Sequence, residues 1–165
     1  MSLFLPDFTF QSVVDLSPKF LMDHGIRLVL LDVDNTLAMH GHPMPEEGVL
    51  TWLESLRNTG ISAAIVSNNS KSRVQPFAER LGLPFVSRSC KPMGFGIRAF
   101  CKSMGILKNE AAMVGDQILT DIAAGNLHGL TTILVEPFEL ENGPFFRVKR
   151  KWEHHYKSHH IKRKE

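Results

Sequence analysis

Cysteine is scarce in this chain: Cys90 and Cys101 are the only two in 165 residues. Their spacing fits neither a metal-binding pair nor a disulfide framework, so a reducing compartment is expected. Cys90 is read as a small buried hydrophobe, not a nucleophile. Long apolar runs are missing too, since no stretch approaches the roughly 18 uncharged apolar residues of a membrane-spanning helix. The N-terminus, Met1-Ser2-Leu3-Phe4-Leu5-Pro6-Asp7, lacks a basic head and carries an acid early, which argues against a secretory signal and for a cytoplasmic location. Repeats and internal linkers are absent as well. What is there is one ordinary globular composition, 43% apolar and 22% charged, long enough to bury a single sizeable core.

The net charge of +2 conceals an asymmetry. From Arg147 onward there are eight Lys/Arg against Glu153 and Glu165, which leaves residues 1–146 at a net charge of −4. The basic character therefore belongs to a C-terminal tail, a solvated end that could also seek anionic lipid, nucleic acid or another acidic surface. Phe145, Phe146, Val148, Trp152 and Tyr156 predict a last helix there, and His154, His155, His159 and His160 are read as part of the solvated end before any metal role. At the other terminus, Phe4, Phe8, Phe10 and Phe20 stand among apolar residues broken by Pro6 and Pro18. They predict a lid packed on the core, with a membrane-touching surface as the alternative. The expected organisation is an aromatic segment over 1–25, a catalytic domain over 26–146 and a basic tail over 147–165.

Between these ends apolar runs and amphipathic stretches alternate. Ser17, Pro18 and Gly25 frame a short capped helix. Leu28–Leu31 is an unbroken apolar run, as a strand buried on both faces requires. An amphipathic stretch follows over Glu46–Arg57, with Val49, Leu50, Trp52, Leu53 and Leu56 inward. Strands are expected at Ile61–Val66, Phe85–Val86, Ala111–Val114 and Thr132–Val135, with helices over Lys71–Leu81, Phe95–Met104 and Leu119–Leu127. This alternation predicts an α/β protein with a mainly parallel five-stranded sheet covered on both faces.

Four polar clusters fall just past strands or loops that lead to one edge of that sheet. Asp32 and Asp34 close the first strand, two residues apart, and Asn35 suits the left-handed backbone of a tight turn. On their own they could simply open a loop, with Thr36 capping a helix. Read as chemistry, Asp32 is a carboxylate nucleophile for phosphorus, and Asp34 protonates the leaving oxygen and later takes a proton from water. Ser67 and Asn68 end the second strand, as a turn or as donors to phosphoryl oxygens. Lys91, before Pro92, could offset charge on a transferring phosphoryl group. Asp116 ends the fourth strand and supplies a metal-binding carboxylate, and an all-oxygen donor set selects Mg²⁺ over zinc. Asp121 is read as a holder of a metal water, a partner of Lys91 or a first-turn helix acid. His40 and His42, on a proline-containing loop, are not assigned to metal.

Asp32-Val33-Asp34-Asn35-Thr36-Leu37, Ser67-Asn68-Asn69, Lys91-Pro92 and Gly115-Asp116 with Asp121 resemble, in order and spacing, motifs I to IV of the haloacid dehalogenase superfamily. The resemblance covers about residues 26–136. It implies a Rossmann-like three-layer α/β/α sandwich, Mg²⁺, an aspartyl-phosphate intermediate and phosphatase activity, with Asp32, Asp34 (through its carbonyl oxygen) and Asp116 as metal ligands. The short spacings after motifs I and II leave no room for a separate cap domain, so the site either admits a large or surface-bound substrate or needs a lid from a partner subunit.

Asp15-Leu16-Ser17-Pro18 and Gly115-Asp116-Gln117-Ile118-Leu119-Thr120-Asp121 further resemble the YqeG-type subfamily, which is similar to mitochondrial phosphatidylglycerophosphate phosphatases. That implies a lipid phosphate-monoester substrate, with which peripheral contact at the inner face of a membrane is compatible. The alternatives are a soluble sugar- or nucleotide-phosphate phosphatase, or a non-catalytic module holding nucleic acid or an acidic partner through the tail. The intact acids and lysine argue against the last, and the sequence gives no oligomeric state.

Overall fold

The computed structural model describes residues 2–139 together with 147, 148, 151 and 153–155. Phe145, Phe146, Trp152, Tyr156, His159 and His160, and with them most of the expected last helix, lie outside the described residues. Val148, His154 and His155 are exposed.

Among the described residues six strands build one sheet: β1 (Phe8–Phe10), β2 (Leu28–Leu31), β3 (Ser62–Val66), β4 (Phe85–Val86), β5 (Ala111–Gly115) and β6 (Thr131–Val135). Their order is β1-β6-β5-β2-β3-β4 and every pairing is parallel. Five helices connect them: α1 (Pro18–Asp23), α2 (Val49–Asn58), α3 (Lys71–Leu81), α4 (Ile97–Ser103) and α5 (Ala123–His128). Alternate residues of the central strands enter opposite layers, as the two-residue period of a strand demands. Val29, Leu31, Ile65 and Val114 meet Leu21 of α1, Trp52 and Leu53 of α2 and Phe77 of α3. Leu28, Leu30, Val66 and Met113 meet Ile97 and Cys101 of α4 and Ala124 of α5. The three-layer α/β/α class is as the sequence indicated.

The strand count is not. The N-terminal segment, expected as a lid, contributes a sixth strand, with Phe8 opposite Ile133 and Phe10 opposite Val135. Asp7 anchors it: its carboxylate accepts from Thr132 N at 2.8 Å and from Thr132 Oγ1 at 3.1 Å, while its own amide donates to Thr132 O at 3.0 Å. Phe8 and Phe10 each set an edge against Phe20, with ring centroids 5.0 Å apart. Trp52 Nε1 donates to Leu16 O at 2.7 Å, tying α2 to the same segment.

Smaller differences have local causes. Leu50, expected inward, is 54% exposed, because α2 starts at Val49 and its inner face runs 49, 52, 53, 56. The helix expected from Phe95 begins two residues later, since Gly94 and Gly96 hold positive φ angles of 59° and 89°. The helix after Gly115-Asp116 opens with a wide π turn over Ile118–Ile122 before becoming α5. Cys90, expected buried, is exposed, whereas Cys101 is buried.

Candidate active site

The strand order reverses direction at β2, which lies between β5 and β3, and open α/β sheets hold ligands in the crevice at such a point. Leu31 pairs with Val114, and Asp32 N donates to Val114 O at 3.0 Å. Asp32 and Asp116 therefore leave the carboxyl ends of two adjacent strands side by side. The chain then turns sharply: Asn35 takes a φ of 59°, as its residue type suggested, and Leu37 N bonds Val33 O at 2.9 Å.

Lys91 reaches this point from the far loop. Its ammonium is buried and donates to Asp32 Oδ1 at 2.8 Å, Asp121 Oδ1 at 2.7 Å and Val66 O at 2.8 Å. Three acceptors account for all three of its protons. Burial pushes the Asp32 carboxyl up to about 6, against the opposing pull of Lys91 and with the help of Asp121 and Asp34. For Lys91, burial favours the neutral amine, but the Asp121 and Asp32 carboxylates outweigh it and hold the group above the usual lysine range. The proton stays on the lysine.

The loop that carries Lys91 is held by Asn68. Asn68 Oδ1 accepts from Lys91 N at 2.6 Å and from Ser89 Oγ at 2.9 Å, and Asn68 Nδ2 donates to Lys91 O at 3.1 Å. The Asn68 side chain, expected among the phosphoryl donors, is thus turned to the Lys91 backbone. Ser67 Oγ accepts from Asn69 N at 3.1 Å, which leaves the hydroxyl proton available to donate.

Asp34 sits two residues from Asp32 in a different environment. Its carboxylate accepts from Gly41 N at 2.9 Å, Asn69 Nδ2 at 2.5 Å and Arg73 Nη2 at 3.2 Å. Arg73 also donates to His42 O at 2.9 Å and lies over the Phe77 ring, so it joins α3 to the loop after β2. Arg80 donates to Pro43 O in the same loop. Motif spacing did not single out Arg73, because its role depends on a loop it meets only in the folded chain.

A cluster of metal-holding type gathers Asp32, Asp116 and Asp121, with one carboxylate oxygen of each within 4.8 Å of the others. The Asp34 carboxylate is not in that group and is instead taken up by Gly41, Asn69 and Arg73. The donor set is all oxygen, which fits Mg²⁺. Two further residues hold Asp121 in place. A Cβ on Gly115 would lie 2.2 Å from Asp121 Oδ2, so the glycine leaves the space that carboxylate occupies. Glu153, buried in the otherwise basic C-terminal segment, accepts from Ile118 N at 3.0 Å and Leu119 N at 3.4 Å, capping the turn that bears Asp121. Its only signal in the sequence was its sign.

The family model for haloacid dehalogenase-like hydrolases matches residues 43–129. The chain is 35% identical over 150 residues to "Probable phosphatase YqeG" of Bacillus subtilis (strain 168), spanning 91% of this chain and 87% of that protein. It is 28% identical over 153 residues to phosphatidylglycerophosphate phosphatase 1, chloroplastic, of Chlamydomonas reinhardtii, covering 87% of this chain and 57% of that longer protein. The fold is shared with 3-deoxy-D-manno-octulosonate 8-phosphate phosphatase from Yersinia pestis, with a TM-score of 0.51, 14% identity and coverage of 69% of this chain and 74% of that one. The chain belongs to the haloacid dehalogenase-like hydrolase family. Within it, this protein is a phosphatase, a phosphoric monoester hydrolase.

Proposed function

We propose that the protein is a Mg²⁺-dependent phosphomonoesterase that works through an aspartyl-phosphate on Asp32, with phosphatidylglycerophosphate as substrate. The observation that carries the reading is the buried carboxylate of Asp32, 2.8 Å from Lys91 Nζ and beside Asp116 at the carboxyl end of the sheet. Asp32 attacks phosphorus while the bond to the ester oxygen breaks, and Asp34 gives its proton to the departing alcohol. Water then attacks the phosphorus, Asp34 takes the proton, and inorganic phosphate leaves with Asp32 restored. Lys91 offsets the charge that collects on the phosphoryl oxygens through both steps, and the Ser67 hydroxyl and the Asn68 main-chain N–H hold those oxygens. Mg²⁺ bound by the carboxylates of Asp32 and Asp116 and the carbonyl of Asp34 would screen the repulsion between anionic nucleophile and anionic ester.

The lipid assignment is supported by the phosphatidylglycerophosphate phosphatase relative and by connections after β2 and β3 that hold no separate cap domain among the described residues. Peripheral contact with the inner face of a membrane fits the same substrate. Phosphate release from an aryl phosphate should require Mg²⁺ and fall on the order of 10⁴-fold or more in Asp32→Asn with the fold intact. Phosphatidylglycerophosphate in mixed micelles should be hydrolysed at least tenfold more efficiently than sugar or nucleotide phosphates. Equal or slower turnover of the lipid overturns that substrate, and activity surviving Asp32→Asn overturns the nucleophile.

A further inference from the structure

Away from the carboxylates, α4 borders an apolar groove of 260 Å³ walled by Ile97, Cys101, Ile106 and Leu130. Its volume is below the roughly 300–1,000 Å³ of a site that encloses a whole small molecule, and suits one end of a hydrocarbon chain. The rim is basic: Arg98, Lys102, Lys108 and His128 line it. The nearby acid Glu110 is turned elsewhere, accepting from Leu107 N at 2.9 Å and Arg27 Nη1 at 3.2 Å.

Beside the groove stand large apolar side chains in water. Leu107 and Phe95 are each 64% exposed and Met93 is 53% exposed. They belong to one neighbourhood, since His128 Nε2 lies 2.8 Å from Met93 O and Gly94 packs against Ile97 and His128. Exposed apolar residues interleaved with cations are the pattern of a surface that sits in the headgroup region of a charged bilayer.

We propose that this face docks the protein on a bilayer of anionic phospholipid. Met93, Phe95 and Leu107 enter the boundary between headgroups and acyl chains, the groove takes a chain end, and Arg98, Lys102 and Lys108 meet lipid phosphates. The occupant rests on the lipid-phosphate reading given above. Met93 and Phe95 follow Lys91 by two and four residues, so the loop that supplies the active-site ammonium also supplies the bilayer contacts.

The test is sedimentation of the full chain with vesicles. Vesicles of phosphatidylglycerol and phosphatidylcholine in equal parts should bind the protein in a salt-sensitive manner, and phosphatidylcholine alone should not. Reversing Arg98, Lys102 and Lys108 to Glu should weaken partitioning at least about a hundredfold, at about fivefold per cation lost and more from the added repulsion. Met93→Ser, Phe95→Ser and Leu107→Ser together should also weaken it. All six positions are exposed, and thermal unfolding checks that the variants are folded. The same three-charge reversal at Lys19, Arg57 and Lys71 should leave binding within a few-fold of the parent. Parent-like binding by the face variants, or equal loss in the control, overturns the docking face. Hydrolysis of the lipid phosphate in micelles without vesicle binding overturns the face and keeps the substrate. Vesicle binding without micellar turnover overturns the substrate and keeps the face.

Discussion

Asp32 and Asp34 are two residues apart in the chain, yet they stand in two regions of the site built on opposite principles. The floor around Asp32 is buried: Asp116 and Asp121 lie beside it, and one buried ammonium is shared between Asp32 and Asp121. The rim around Asp34 is no more open, its side chain being 12% exposed against 13% for Asp32, but its carboxylate is oriented by an amide, a main-chain N–H and the partly exposed Arg73 instead of a buried ammonium. In the proposed mechanism the ammonium fixes the nucleophile and offsets its charge, while the hydrogen bonds from Gly41, Asn69 and Arg73 aim the acid/base group two residues on.

Removing the cation of the floor should break this contrast most severely. Lys91→Ala leaves the Asp32 and Asp121 carboxylates buried without their counter-ion, which costs about 3–5 kcal/mol by analogy with other broken buried pairs. Urea unfolding should show that loss in metal-free protein, with kcat down roughly 10²–10³-fold in what remains folded. Saturating Mg²⁺ should stabilise the parent by about 2.7 kcal/mol at a hundredfold excess over its dissociation constant, and Asp116→Asn should lose most of that gain in thermal unfolding. Gly115→Ala should cost about 1–3 kcal/mol, because the new methyl meets the Asp121 carboxylate and no flexible neighbour can yield. Its activity should fall with its stability, since Asp121 shares the Lys91 ammonium with Asp32.

The rim should respond more gently and in a different quantity. Arg73→Ala should change stability by no more than about 1 kcal/mol, since the Arg73–Asp34 pair is partly exposed. It should lower kcat about tenfold with KM little changed, as loss of a positioning contact in the transition state would. Arg73→Lys should recover part of that kcat. A loss confined to KM would instead assign Arg73 to substrate binding and erase the distinction between rim and floor.

Much of the floor was legible because its residues stand just past strands or loops that lead to one edge of the sheet. Asp32, Lys91 and Asp116 each end or follow such an element, and the parallel topology forces their side chains to one edge. Residues whose partners are remote were illegible. β1 is three residues long and pairs with a strand some 125 positions away, so no local pattern distinguishes it from a loop. Asn68 looked like a ligand-facing turn residue, but it holds the Lys91 backbone across 23 positions. Arg73 carried no periodic or motif signal, Gly115 stood in a motif that did not reveal the space it leaves for Asp121, and Glu153 offered only its sign.

The amino-acid order by itself determined the layered α/β class, the strand ends and the chemistry of the acids and lysine, because hydrophobic period and residue type are local properties. Only the folded chain decided which carboxylate faces the ammonium, which is held by an arginine, and which face carries exposed apolar side chains among cations. Those outcomes depend on distances between segments far apart in the chain, and such distances are set by how the whole sheet and its helices pack.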